Sequence, residues 1–393
     1  MSQPENILVR GVNWLGDAVM TTPALQRLRE AKPRAQITLL THAKLADLWR
    51  HHPALDNVIE FTNKEGLGGV VRKVRAGRFD TALIFPNSPR AALETFLARV
   101  PERIGISRGW RNLFLTRTIR PHPGILPMRK RPAAEVRQLS GAEGASGPTD
   151  YLKTEHQLHH YLALAAAMGA NPSVLPPRLE VTDAEVAAVR ERFGFRAPAG
   201  VPLLGINAGA EYGPAKRWPK ERFIEAAVEL QRSTGCHWWI FGGKADVELA
   251  TSIANEITAA KTGSPDSIRV LAGQTSLREL CAALKACRLV ITNDTGPMHV
   301  AAAVGTRVIV PFGSTSPELT GPGLPGDPRH RLIKSTAPCS PCFMRECPID
   351  FRCMQGISTA IVVEHAMSLL AGKPSSSAAK PEGSEGYHGN HEN

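Results

Sequence analysis

Short runs of apolar and β-branched residues recur along this chain at helix-length intervals, and they do so twice over. ILVRGV (7–12), ITLLTH (37–42), VIEF (58–61), TALIFP (81–86) and RIGI (103–106) make the first series. VPLLGINAG (201–209), HWWIFGG (237–243), IRVLAG (268–273), LVITND (289–294) and RVIVPFG (307–313) make the second. Unbroken apolar runs, in place of strict alternation, predict strands buried on both faces, as in parallel sheets. Helical stretches between them predict βαβ units. Residues 17–31 read as one amphipathic helix, 156–170 as another, and Thr182 or Asp183 suits the cap of a third. In the second half, helices centred near 228, 251 and 282 separate the strands, and 357–372 reads as a last helix.

With 393 residues, two domains are expected. We read an α/β chain of two doubly wound, Rossmann-like lobes, 1–175 and 176–356, followed by the helix 357–372. Residues 121–150 read as a flexible basic loop and 373–393, polar and rich in glycine and serine, as a disordered tail. Ligands of such sheets bind outside the carboxyl ends of the strands. Two lobes face to face therefore make a cleft with one half-site each.

Three loops fall at those strand ends. In NDTGPMH (293–299), Pro297 suits the first turn of a helix and Asp294 or Thr295 the cap before it. The free N–H groups of that turn form an anion site. Gly296 permits close approach of an oxyanion, and His299 can donate to one. The bland alternative is an ordinary cap with a core-facing histidine. In NAGAEYGPAKRWP (207–219), Lys216 can meet a diphosphate as a point charge or simply face solvent. In VNWLGDAVMTTPAL (12–25), Asp17 is either a helix cap or a general base poised across the cleft; position alone favours the cap.

The chain contains no D-x-D pair, no G-x-x-x-x-G-K-[ST] loop and no G-x-G-x-x-G after its first strand. A metal-chelated nucleotide sugar, a P-loop NTPase and a simple NAD enzyme all lose weight. The opening MSQPENILVRGV has no basic-then-apolar leader pattern, and no apolar run reaches membrane-spanning length, so a cytoplasmic protein is expected. Net charge is +11, and between Pro101 and Ser140 nine basic residues face two acidic ones. Such a stretch attracts polyanions (nucleic acid, phosphorylated ligands or an anionic membrane), or it is a solvated loop. Only Trp110 and Phe114 interleave it with aromatics, which ranks a non-enzymatic nucleic-acid binder last. Cys339, Cys342, Cys347 and Cys353 are spaced C-x2-C-x4-C-x5-C, either ligands for zinc or an iron–sulfur cluster or reduced loop thiols. The absence of a second knuckle and the presence of Pro341 and Pro348 favour the thiols.

NWLGDAVMTTPAL, AKRWP, FGGKAD, LAGQTSLRELCAAL and NDTGPMHVAAAVGTRVIVPFGSTSP together resemble glycosyltransferase family nine, the ADP-heptose–lipopolysaccharide heptosyltransferases. The likeness runs in order from residue 7 to about 370. WLGD and CSPCFMRECP are most like the heptosyltransferase II branch. The resemblance implies a GT-B fold with the donor in the second lobe. It implies inverting transfer of L-glycero-D-manno-heptose to the inner core, without a cofactor or catalytic metal. By the family pattern Asp17 takes the acceptor proton, Lys216 and Asp294 serve the donor, and Thr295, Gly296, Pro297, Met298 and His299 hold its phosphates. Ala208 and Gly209 stand where relatives often carry hydroxyls, which points to backbone contacts. Asp246 or Glu248 would meet the ribose, and the residues do not choose between them. Arg103, Arg108, Arg111, Arg117 and Arg120 would face a Kdo- and heptose-bearing lipid A acceptor at the cytoplasmic face of the inner membrane. Another GT-B enzyme, such as a sugar-nucleotide epimerase, or heptosyltransferase I or III activity, is the alternative.

Overall fold

A computed structural model describes residues 4–120, 128–141, 155–195 and 200–372. The first sheet is built from β1 (Asn6–Arg10), β2 (Gln36–His42), β3 (Asn57–Phe61), β4 (Thr81–Ile84), β5 (Glu102–Ile106) and β6 (Arg117–Ile119). The second is built from β7 (Leu203–Asn207), β8 (His237–Ile240), β9 (Ile268–Val270), β10 (Leu289–Thr292), β11 (Arg307–Phe312) and β12 (Arg331–Lys334). All pairings are parallel, in the orders β3-β2-β1-β4-β5-β6 and β12-β11-β10-β7-β8-β9. Each order reverses beside its first strand, β1 or β7, so each sheet opens its ligand crevice there. Ten strands coincide with the apolar runs of the sequence. The other two, β6 and β12, are edge strands.

The expected helix 17–31 is two helices, Leu15–Met20 and Thr22–Ala31. The Thr21 and Thr22 hydroxyls bond back to the carbonyls of Ala18 and Val19, and Pro23 brings no N–H to continue the ladder. Thr182 caps the helix Asp183–Arg192 in a capping box with Glu185. Within the stretch read as a flexible loop, Ala133–Gly141 is helical and the Arg131 N–H donates to the Cys342 carbonyl; residues 121–127 and 142–150 of that reading, and the tail 373–393, lie outside the described residues.

The two lobes share one apolar cluster. It runs from Ile7, Val9 and Leu25 in the first lobe through Met298, Val300 and Phe312 in the second. Helix Leu15–Met20 packs on Gly296–Ala303, and the 3₁₀ turn Ala43–Trp49 packs on Leu277–Ala286. The carboxyl ends of β1 and β10 are thereby brought face to face. Among the described residues no helix is long and apolar enough to cross a membrane.

Candidate active site

The chain leaves β1 through a loop held from below. Arg10, buried, bonds Glu94 at 2.8 Å and lies over the Phe61 ring, while its Nη1 reaches the Gly11 carbonyl. The helix Leu15–Met20 then starts with extended Trp14 at its cap position and no side-chain cap. Asp17 is not the cap; it lies in the first turn and points across the cleft. Its Oδ1 accepts from Gln157 Nε2 at 2.9 Å, and the same Nε2 reaches the Tyr161 hydroxyl at 2.9 Å. Burial pushes the Asp17 carboxyl up to about 6, against the Gln157 hydrogen bond and the Lys216 charge, which pull it down.

Opposite stands helix Gly296–Ala303, starting one residue before Pro297. Thr295 occupies the cap position without a side-chain cap bond, so its hydroxyl is not spent on the first-turn N–H groups. Asp294 Oδ2 accepts from Lys216 Nζ at 2.6 Å and from the Thr315 hydroxyl at 2.6 Å. His299 is buried, and burial lowers its pKa to about 4, which keeps the imidazole neutral. Asp17, Lys216, Asp294, Thr295, Gly296 and His299 line one cavity of about 330 Å³, together with Trp14, Gln157, Tyr212 and Arg345.

Two glycines set the distance between lobes. A Cβ on Gly16 would lie 2.6 Å from His299 Cδ2, and one on Gly296 would lie 2.8 Å from Leu15 Cβ. Gly296, read for its access to an oxyanion, therefore also makes room for the other lobe. Gly16→Ala is expected to push the lobes apart and cost up to about 100-fold in kcat/KM for transfer, because sub-ångström misplacement is amplified at the reacting atoms. Thermal unfolding measured beside the kinetics separates this from collapse: the midpoint should move by only a few degrees.

The donor-side loop is stitched to the rest of its lobe. Asn293, buried, accepts from the Trp218 N–H at 2.9 Å and donates to the Ala208 carbonyl at 2.7 Å. Gly209 lies against Asp246, since a Cβ there would be 2.6 Å from the carboxyl carbon. Glu248 is exposed on the following helix. Of the two acids, Asp246, on the turn Lys244–Asp246, is thus the one packed against the Lys216 loop. Ala208 lines a second, smaller cavity of about 280 Å³ with Trp218, Leu249 and Met354.

The cysteine segment has a structural use that its spacing did not suggest. Tyr212 Oη donates to the Phe343 carbonyl at 3.0 Å, and the Ala215 N–H donates to the Arg345 carbonyl at 3.0 Å. The segment straps the Lys216 loop and carries Arg345 into the cavity, where its guanidinium and the Lys216 ammonium sit 5.1 and 4.9 Å from the Tyr212 ring centre. All four cysteines are free thiols; burial raises Cys339, Cys342 and Cys353, the last to about 12. Among the described residues no group of three or more His, Cys, Asp and Glu is arranged to hold a metal.

Three further expectations shift. Met298 is fully buried in the core and does not line the cavity. Arg111 is also fully buried, and donates to the Ile106 and Pro86 carbonyls and to Asn87. Arg103 bonds the carbonyls of Phe114 and Val100. These two arginines hold the fold together instead of facing an acceptor, while Arg108, Arg117 and Arg120 are exposed but outside the cavity. Gln157, Thr315, Asn293 and Arg345 belong to the site and were not anticipated.

Replacing Gln157 by leucine tests the polarity around Asp17. The lost hydrogen bond favoured the charged form, so the acid limb of the kcat/KM profile is expected to move upward from about 6. Activity near neutral pH should fall and recover in alkali; an unmoved limb would show that Gln157 does not tune Asp17.

Residues 68–351 match the family model described as glycosyltransferase family 9 (heptosyltransferase). Lipopolysaccharide heptosyltransferase 2 of Salmonella typhimurium is 30% identical over 330 residues, 80% of this chain and 85% of that protein. The Escherichia coli protein of the same name is 30% identical over 333 residues, again 80% and 85%. The solved structure of E. coli ADP-heptose lps heptosyltransferase II superposes with a TM-score of 0.71 at 26% identity, covering 93% of this chain and 99% of that one. The two facing parallel sheets have the GT-B architecture. The chain belongs to glycosyltransferase family 9 and is a glycosyltransferase.

Proposed function

We propose that this enzyme moves L-glycero-D-manno-heptose from ADP-heptose to the heptose- and Kdo-bearing inner core of lipopolysaccharide, in the manner of heptosyltransferase II and with inversion. One observation carries the reading: a half-buried carboxylate from one lobe, Asp17, lines a single cavity with a lysine and a helix amino end from the other. The names of the relatives supply the substrate class.

In the proposed reaction an acceptor hydroxyl attacks the anomeric carbon while Asp17 takes its proton. The bond from the anomeric carbon to the β-phosphate oxygen breaks, and its electron pair leaves with ADP. Lys216, the first-turn N–H groups after Thr295 and neutral His299 hold the charge that grows there. Asp294 and Thr315 fix the ammonium. Arg345 adds a second cation on the same wall. No step calls on a metal. Asp246 is our assignment for the ribose. We place donor binding in the lobe 176–356, acceptor binding in the lobe 1–175, and the enzyme at the cytoplasmic face of the inner membrane.

Calorimetry with ADP, UDP and GDP tests the donor class, with ADP expected to bind at least tenfold tighter than either. Transfer assays with ADP-heptose and a Kdo-lipid A acceptor test the rest. A product formed from the nucleotide sugar without acceptor would replace this reading with an epimerase.

A further inference from the structure

The first lobe carries an apolar face that its own fold leaves open. Phe96 and Leu97 end the helix Pro89–Leu97. Trp110 and Leu113 stand on the 3₁₀ helix Gly109–Phe114, which crosses from β5 to β6 and packs on that first helix. The four are 42, 38, 64 and 78% exposed, respectively. Phe114 joins them, with its ring 5.4 Å from Phe96 and 5.9 Å from Trp110. Single exposed apolar residues need no explanation, but a contiguous set with two large aromatics does.

Cations rim this face. Arg103 lies over the Phe96 ring at 5.4 Å, and Arg75 donates to the Leu97 carbonyl at 2.6 Å. Arg99 and Arg108 are exposed beside Leu97 and Trp110 in the chain. From Arg90 to Arg120 there are seven arginines and two acids. Of the acids, Glu94 is buried and bonded by Arg10 and Arg90, and Glu102 accepts from Thr81. The platform beneath is fixed by Arg111, whose bonds reach the Pro86 and Ile106 carbonyls at the cleft-side ends of β4 and β5.

Positive charge alone would suit any polyanion. Leucine and tryptophan held outward between arginines suit a bilayer interface, where the rings and Leu113 enter the headgroup boundary and the guanidiniums meet anionic lipid. We propose that Phe96, Leu97, Trp110 and Leu113, with the exposed Arg75, Arg99 and Arg108 around them, seat this lobe on an anionic membrane surface. The proposal rests on the lipid-linked acceptor assigned above. Seating the lobe that holds Asp17 would present a bilayer-anchored acceptor to the cleft.

The test is cosedimentation of the full chain with vesicles of phosphatidylethanolamine and phosphatidylglycerol, against phosphatidylcholine alone. Binding is expected only to the anionic vesicles. Trp110→Ser with Leu113→Ser should weaken it at least tenfold, and Arg75→Ser with Arg99→Ser by about fivefold per charge. Both pairs should slow transfer to acceptor embedded in vesicles and leave transfer to a deacylated, water-soluble acceptor unchanged. Circular dichroism and unfolding midpoints guard against misfolding, and the arginine pair keeps the test open if the apolar pair unfolds. Equal binding to neutral vesicles, undiminished binding by either pair, or duplex DNA binding that the apolar pair leaves intact while vesicles are ignored would each overturn it. If anionic vesicles bind as expected but neither acceptor is glycosylated, the heptosyl-transfer reading fails and the membrane surface stands.

Discussion

Asp17→Asn is expected to lower kcat/KM for heptosyl transfer by about 10³-fold while leaving ADP affinity within a factor of about two. Asparagine keeps an oxygen for Gln157 Nε2 to bond, so the first turn of helix Leu15–Met20 retains its position and only basicity is lost. In the wild type the rate should rise as pH passes about 6, where Asp17 ionises, and the variant's small residual rate should lack that limb. Stability should move the other way. The native carboxyl titrates near 6 and the unfolded one near 3.8, so between those values the native state holds more protons and the wild type loses stability as pH rises. Below both values the residue costs nothing; above about 6 the full penalty of a buried carboxylate is in place. Asp17→Asn should therefore melt higher than the wild type at pH 8 and alike near pH 3.5. A variant that keeps an acid limb near 6, or retains more than about a tenth of the rate, would place the base elsewhere.

The contrast between what the residues disclosed and what they hid follows from where the information lies. Strands buried on both faces must be apolar throughout, so VITND and LLGIN announce themselves. The edge strands β6 and β12 are short, and RTI and RLIK are broken by charge, so neither stands out as an apolar run. That NDTGPMH turns from a strand end into a helix was legible because glycine, proline and a capping residue at a strand end have few other uses. Gln157 was not, since 140 residues separate it from Asp17 and one glutamine just before a helix carries no signal. Thr315 likewise reaches Asp294 only because β10 and β11 are neighbours in the sheet. The cysteine segment was read for its side chains, and its carbonyls at Phe343 and Arg345, which hold the lysine loop, carry no mark in a sequence. Arg111 misled because a basic residue in a basic stretch reads as surface until its carbonyl partners are known.

Lys216→Met should reduce kcat by about 10³-fold, because in the proposed reaction the charge growing on the departing β-phosphate loses a cation that would stabilise it. The substitution also strips the partner from Asp294, which is 4% exposed and keeps only the Thr315 hydroxyl. An unpaired buried carboxylate is costly; with Lys216 still 14% exposed in the native pair, a loss of about 2 kcal/mol is expected, below that for a fully enclosed pair. Rate and stability can then be pulled apart. In the double variant Lys216→Met with Asp294→Asn, the neutral amide needs no cation, so most of the lost stability should return while kcat remains low. Lys216→Arg keeps charge but not shape: its fork cannot reproduce one 2.6 Å contact to Asp294 and still present the same charge to a phosphate, and an intermediate rate is expected. If the double variant recovers activity together with stability, Lys216 is a structural counter-ion to Asp294 and the leaving group is held by the helix end and Arg345. If stability alone returns, the lysine acts on the pyrophosphate and Asp294 serves to aim it.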